Sequence, residues 1–229
     1  MSHPPVGTRT RLFLFHIGML QFRSYMKSIL RIPLNATPEQ QARLLALQET
    51  FAQACNALAP IVQKTRIWNR VALHHLAYRD LRAKFPAMGS QMACNVIYSV
   101  SRTCRIVFQH PASPLHLTRL GGHGLPLLHF ETNSPVYFDR HTLSLKNGQL
   151  SLFTLDGRMH FQLTLRPSDQ LRFQTQRLRE IVLARRKDDV FVLEFCFAED
   201  DEQPDTPDLS QIAAKRDNLP AYIKIEESA

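Results

Sequence analysis

The chain has 229 residues, 44% hydrophobic and 21% charged. That is enough to bury a core without disulfide or metal staples, and too ordinary a mix for a disordered, collagenous or coiled-coil chain. The 28 Lys and Arg against 20 Asp and Glu give a formal charge of +8, which points to nucleic acid or an anionic surface as partner.

At the N-terminus, Arg9 and Arg11 precede an apolar run from Leu12 to Phe22. The run is shorter than the roughly 20 residues a bilayer needs. Phe22, Arg23, Ser24 and Tyr25 offer no small-residue cleavage site for a signal peptide. Residues 1–25 read either as a leader ahead of a start at Met26 or as a true N-terminal arm. The expected compartment is the cytoplasm, with no membrane partner. Cys55, Cys94, Cys104 and Cys196 stand far apart with no Cys-x-x-Cys pair, so they read as buried free thiols rather than a zinc ribbon.

From Lys27 to Leu34 the alternation predicts a strand, with Leu30, Ile32 and Leu34 on one face. Pro33 cannot donate to a ladder, which places the strand at an edge. Thr37, Pro38 and Gln40 form a helix start of the capping-box type. The stripe Leu44, Leu47, Phe51, Ala54, Cys55 and Leu58 continues it as an amphipathic helix. A second helix is predicted over 68–84, with Leu73, Leu76, Ala77 and Leu81 inward. A third is predicted over 89–109, with Ser90 as its cap. The outer faces are assigned Arg66, Arg70, Arg79, Arg82, Lys84, Arg102 and Arg105. Asp80 is the single acid between Thr50 and Glu131, and a run of one sign suggests a polyanion partner.

Residues 111–135 read as a Pro/Gly/His-rich connector. Beyond it the period changes to two. Strands are predicted at 136–138, 142–145, 149–154 and 159–165, with hairpin turns at Asn147-Gly148 and Asp156-Gly157. A short helix follows at 167–176, then a hairpin of 178–184 with 190–197. Short strands so spaced suggest a small barrel or curled sheet. Residues 199–229 hold nine acids and three bases and read as an extended or disordered acidic tail, which leaves +14 on residues 1–198.

Little of this carries catalytic chemistry. His74 and His75 are adjacent, so a helix cannot put them on one face for a metal, and His110, His116, His123 and His129 have no carboxylate or cysteine cluster near them. Gly121-Gly122-His123-Gly124 lacks the Gly-Lys-Ser/Thr ending of a phosphate loop. No nucleophile elbow occurs, and the 11 acids before residue 198 offer no close pair for a two-metal nuclease. The expectation is a non-enzyme with no metal and no cofactor. Tyr25, Trp68, Tyr137 and Phe138 read either as base-stacking platforms or as core.

A set of short motifs in one order organises these readings. They are Ala54-Cys55-Asn56-Ala57-Leu58, Tyr78-Arg79-Asp80-Leu81-Arg82, the Ser90-Gln91 helix start, and Val136-Tyr137-Phe138-Asp139. After them come Leu150-Ser151-Leu152-Phe153-Thr154-Leu155-Asp156-Gly157-Arg158 and the stretch from Leu183 to Val192. Over about residues 26–198 this resembles the N-terminal half of the TnpB/OrfB transposon-encoded proteins, relatives of type V CRISPR effectors. The resemblance implies an α+β fold: a wedge-type, oligonucleotide-binding-like β-barrel begun by a strand at 26–36, a three-helix recognition insert at 37–110, and the remaining barrel at 136–198. It implies guide-type RNA, and double-stranded DNA beside a target, as partners. By the same resemblance Ser90, Gln91 and Asn95 would face the DNA motif with Phe138 and Asp139 beside them, and Arg66, Asn69 and Arg70 would hold backbone. The candidate contacts are completed by Arg82, Arg102, Arg140, Arg185, Arg186 and Lys187. In that family a RuvC nuclease domain with an inserted zinc ribbon follows the last barrel hairpin. Here the acidic tail stands in its place, so cleavage does not carry over. The function expected is a non-catalytic, TnpB-like nucleic-acid-binding protein, alone or beside a separately encoded nuclease chain. The alternatives are a decayed fragment without activity, or an adaptor that docks a partner protein.

Overall fold

The structure, a computed structural model, describes residues 28–198 and 219–226. The readings of residues 1–25, and of most of the acidic tail, lie outside them. Strand β1 (Ser28–Pro33) leads to three helices: α1 (Pro38–Thr65), α2 (Arg70–Lys84) and α3 (Ser90–Gln109). Then come β2 (Leu127–Phe130), β3 (Val136–Phe138), β4 (Leu143–Lys146), β5 (Gln149–Thr154) and β6 (Gly157–Gln162). Helix α4 (Pro167–Thr175), β7 (Arg177–Arg185), β8 (Phe191–Ala198) and β9 (Ile223–Glu226) complete the chain.

The helix starts follow from their sequences. At α1, Thr37 Oγ1 accepts from Gln40 N while Gln40 Oε1 accepts from Thr37 N, and Pro38 needs no donor at the first position. Its whole predicted stripe is buried. At α2 the cap is Asn69, whose Oδ1 accepts from Val71 N and Ala72 N. Leu76 does not join the inner face: it is 46% exposed. At α3, Gly89 holds the cap position with no side-chain bond, and Ser90 is the first helical residue rather than the cap.

Four strands form an antiparallel sheet in the order β1-β8-β7-β3. Its edge strand β1 pairs Ser28 to Pro33 with Phe197 to Val192, so Pro33 lies where a missing donor costs least. A second sheet is β4-β5-β6. Asn147 and Gly148 both have positive φ, the type I′ geometry that suits a two-residue hairpin. A Cβ at Gly148 would come within 2.8 Å of the Leu163 carbonyl oxygen. The sheets stay open, so the expected barrel closure is absent among the described residues. The architecture is mixed α+β.

Two expectations need refinement. The connector contains strand β2, and the tail contains strand β9, which pairs with it. β9 forms because Ile223 buries to 6% exposure, Lys224 meets Glu131, and His129 Nδ1 lies 2.9 Å from Glu226 Oε1. Of the two alternatives for the tail, residues 223–226 thus take the extended one, as a paired strand. One core joins all these parts, with Phe51, Phe108, Phe130, Phe191, Phe195 and Phe197 among its fully buried side chains. Among the described residues no helix is long and apolar enough to cross a membrane.

Candidate nucleic-acid interface

The basic stretch runs from the end of α1 through α2. Lys64, Arg66, Arg70, Arg79 and Lys84 are exposed and Arg82 is partly exposed. None forms an ion pair with a carboxylate among the described residues. Arg66 sits at the α1 C-cap with φ 57°, and its Nη2 donates to the His123 carbonyl oxygen at 2.9 Å. That bond brings the Gly-rich loop to the end of α1. Arg70 lies over the Tyr98 ring, 5.4 Å from its centroid. Arg82 donates to the Met88 carbonyl oxygen, so it braces the α2–α3 turn. Asn69 spends its side-chain oxygen on capping α2.

The start of α3 meets the end of β3. Gln91 donates to Asp139 Oδ2. Asp139 Oδ1 accepts from His141 N, Thr142 N and Thr142 Oγ1 at 3.0, 3.0 and 2.9 Å. The carboxylate thus closes a local turn of the Asx type and leaves little capacity for a base edge. Ser90 and Arg140 are exposed beside this corner. Cys94, a turn along α3 from Gln91, lies within electrostatic reach of both Arg70 and Asp139. Gln91, Cys94, Tyr98, Asp139 and Arg70 therefore share one surface, and the side-chain oxygen of Gln91 makes no bond among the described residues.

Several predicted contacts do not reach solvent. Asn95 is 5% exposed and its Nδ2 donates to Thr142 Oγ1 at 3.4 Å. Phe138 and Tyr137 are each 5% exposed and belong to the core. Trp68 is partly buried with its ring 5.6 Å from Phe108, and Tyr25 lies outside the described residues. The stacking platforms read from the sequence are thus core wherever they are seen. Arg102 is 5% exposed. Its Nε donates to Glu180 Oε1 at 3.2 Å, and Glu180 also accepts from the Tyr98 hydroxyl. A bulge between Leu178 and Glu180 precedes this carboxylate, and bulges commonly re-aim a side chain. Burial opposes the charge of the Arg102 guanidinium, but Tyr137, Glu180, Tyr222 and Tyr98 together outweigh it and raise its pKa above the ordinary value.

At the β7–β8 turn, Arg185 pairs with Asp189 at 3.1 Å and Arg186 with Asp188. Lys187 is exposed at the tip. These arginines are already offset by turn carboxylates. Sequence reasoning missed Lys64, Cys94 and Tyr98. The signal for the last two was available, since 91, 94 and 98 share a face at helical spacing. Among the described residues no group of three or more His, Cys, Asp or Glu could hold a metal ion. No protein-family model matches the chain, and no curated protein sequence does.

Proposed function

We propose that this protein binds nucleic acid through the stretch from Lys64 to Lys84 and the adjoining Gln91 corner, and that it does so without cleaving it. The observation that carries the reading is the set of six cations in 64–84 with no carboxylate partner among the described residues. Long cationic side chains that spend nothing on internal ion pairs are available to phosphates, and they release counterions when they bind. The finer reading is a TnpB-like wedge and recognition unit. Support for it is topological: β1, ahead of the three helices, pairs with β8 near the end of the unit. That is how a barrel strand interrupted by a helical insert would sit. On this reading the partners are guide-type RNA and target-adjacent DNA, with or without a separate nuclease chain. Ser90 and Gln91 would make the groove contacts, and Arg66 and Arg70 would hold backbone.

The test is RNA recovery with the purified protein, followed by binding measured against salt. Co-purifying RNA and a steep loss of affinity with salt are expected. Recovery of no RNA, with DNA bound no better than by a charge-matched protein, would sink the reading. An adaptor role has its own observation: Ile67, Val71 and Leu76 are exposed along α2 and just ahead of it, Val71 to 64%. It predicts instead a protein complex that survives nuclease and high salt.

A further inference from the structure

A cleft of about 540 Å³ lies between the β4–β5 turn and α4. Its floor is apolar, formed by Leu145, Leu165 and Phe173. The Phe173 ring is held edge-on by Phe195 and Phe197, with centroids 5.0 and 5.2 Å away. Its rim is polar. Gln170 and Gln174 stand one helical turn apart on the same side of α4, and Lys146 lies on the other rim. Among the described residues the Lys146 ammonium and the Gln174 amide have no hydrogen bond or ion pair. Across the Leu163–Leu165 segment lies a second cleft of about 460 Å³, lined in part by Gln40, Gln162 and Thr164. Neither cleft is lined by a carboxylate.

Amide side chains both donate and accept, which matches the mixed edge of a nucleobase. An apolar floor suits the base plane, an ammonium at the rim suits a phosphate, and the absence of carboxylates removes repulsion. The volume falls in the range of small-ligand sites. We propose that the cleft between the β4–β5 turn and α4 takes one unpaired base of a single-stranded nucleic acid, and that the strand continues over the Leu163–Leu165 segment into the second cleft. The inference rests on the nucleic-acid reading above, and adds a base-binding subsite that the cations of 64–84 do not supply.

The experiment compares a fluorescein-labelled oligouridine with a duplex DNA of equal length. The protein is used as it stands and as the variant Lys146→Ala/Gln170→Ala/Gln174→Ala. All three side chains are exposed, so the fold is expected to hold, and a melting curve checks it. Phe173 is left alone because it packs on the core. The expected result is about ten-fold weaker oligouridine binding, the order of effect when one base is no longer held, with duplex affinity unchanged. Photocrosslinks from 4-thiouridine should map to peptides containing residues 145–148 or 170–174. Unchanged oligouridine binding by the variant, with crosslinks elsewhere, overturns the cleft assignment and leaves the reading of 64–84 intact. Binding of neither probe overturns both.

Discussion

Two regions of this molecule carry the same kind of residue and use it differently. From Lys64 to Lys84 six cations face one acid, and none is paired with a carboxylate among the described residues. Around the sheets, on strands and on the adjoining parts of α1 and α4, cations repeatedly end on carboxylates: Arg31 on Glu194, Arg43 on Asp156, Arg166 on Asp169, Arg185 on Asp189, Arg186 on Asp188 and Lys224 on Glu131. Arg102, counted by sequence among the basic residues of the helices, reaches across to that side and is buried on Glu180. A positive charge total is therefore a poor footprint. The proposed reading turns instead on which cations the fold has left without a carboxylate.

The largest test of the contrast is Arg102→Met. Removing one member of a buried pair leaves the other charged and under-solvated, a change worth about 3 kcal/mol or more. Urea unfolding should show the loss. The variant that remains folded should bind nucleic acid with the salt dependence of the unchanged protein, because Arg102 never reaches a phosphate. A shallower salt slope with undiminished stability would place Arg102 on the interface and erase the distinction.

Next in size is a matched pair of variants. Arg66→Gln/Arg70→Gln/Arg79→Gln should lower affinity and flatten the slope of log affinity against log salt, by up to about 0.9 for each duplex phosphate no longer neutralised. Arg185→Gln/Arg186→Gln should do less on both counts, since Asp189 and Asp188 already offset those charges. Arg66 also donates to the His123 carbonyl oxygen and Arg185 pairs with Asp189, so urea unfolding of both variants separates a loss of stability from a loss of binding. Equal effects of the two variants would show that pairing is irrelevant and net charge decides.

This contrast also explains what could be read in advance. Local signals held up well: Thr37-Pro38-Gln40 gave a true capping box, and Asn147-Gly148 a true type I′ turn. Each depends only on neighbours a few residues away. Strand β9 was hidden because its partner β2 lies about a hundred residues earlier, one inside a Pro/Gly/His-rich stretch and the other inside an acidic one. A four-residue strand declares itself only when Phe130 and Ile223 meet across the ladder. The candidate site was half legible. Arg66 and Arg70, proposed from the charge run and the resemblance, are exposed, and Ser90 and Gln91, proposed from the resemblance, are exposed and half-buried respectively. Asn95 and Arg102 were misplaced because their polar character was read as exposure, while the helical period sets the open face of α3 at Gln91, Cys94 and Tyr98 and turns 95 and 102 inward, toward Thr142 and Glu180.

A smaller effect separates the buried interior of α1 and α3 from its surface in another way. Burial pushes the Cys104 thiol up to about 12, and Cys55 is raised further still. The unfolded chain releases these protons near the ordinary value of 9.0, so above that pH it binds fewer protons than the folded protein and stability falls as pH rises. The cost is ~1.4 kcal/mol per thiol one unit above the ordinary value. Tyr98 and Tyr137, also raised by burial, add a loss of the same sign at higher pH. Thermal melts from pH 8 to 10 should show this decline, and Cys55→Ala/Cys104→Ala should reduce its slope. A decline of unchanged slope would mean the thiols are not held in the neutral form.

Cys94 offers the finest probe of the basic surface. It is the one partly exposed cysteine, while Cys55, Cys104 and Cys196 are buried. Alkylation with iodoacetamide should therefore label one thiol per folded chain. The reaction should be slow near neutral pH, because burial raises the Cys94 pKa and the thiolate is the nucleophile. Arg70 acts in the opposite direction and lowers it. Arg70→Gln should consequently slow labelling further, in the absence of any ligand. Nucleic acid bound across Arg70 and Gln91 would cover Cys94, so saturating RNA or duplex DNA should protect it several-fold in the unaltered protein. Binding without protection would move the contact away from the α2–α3 surface, to cations of the sheet side such as Arg177 and Lys187, and the contrast between the two regions would reverse.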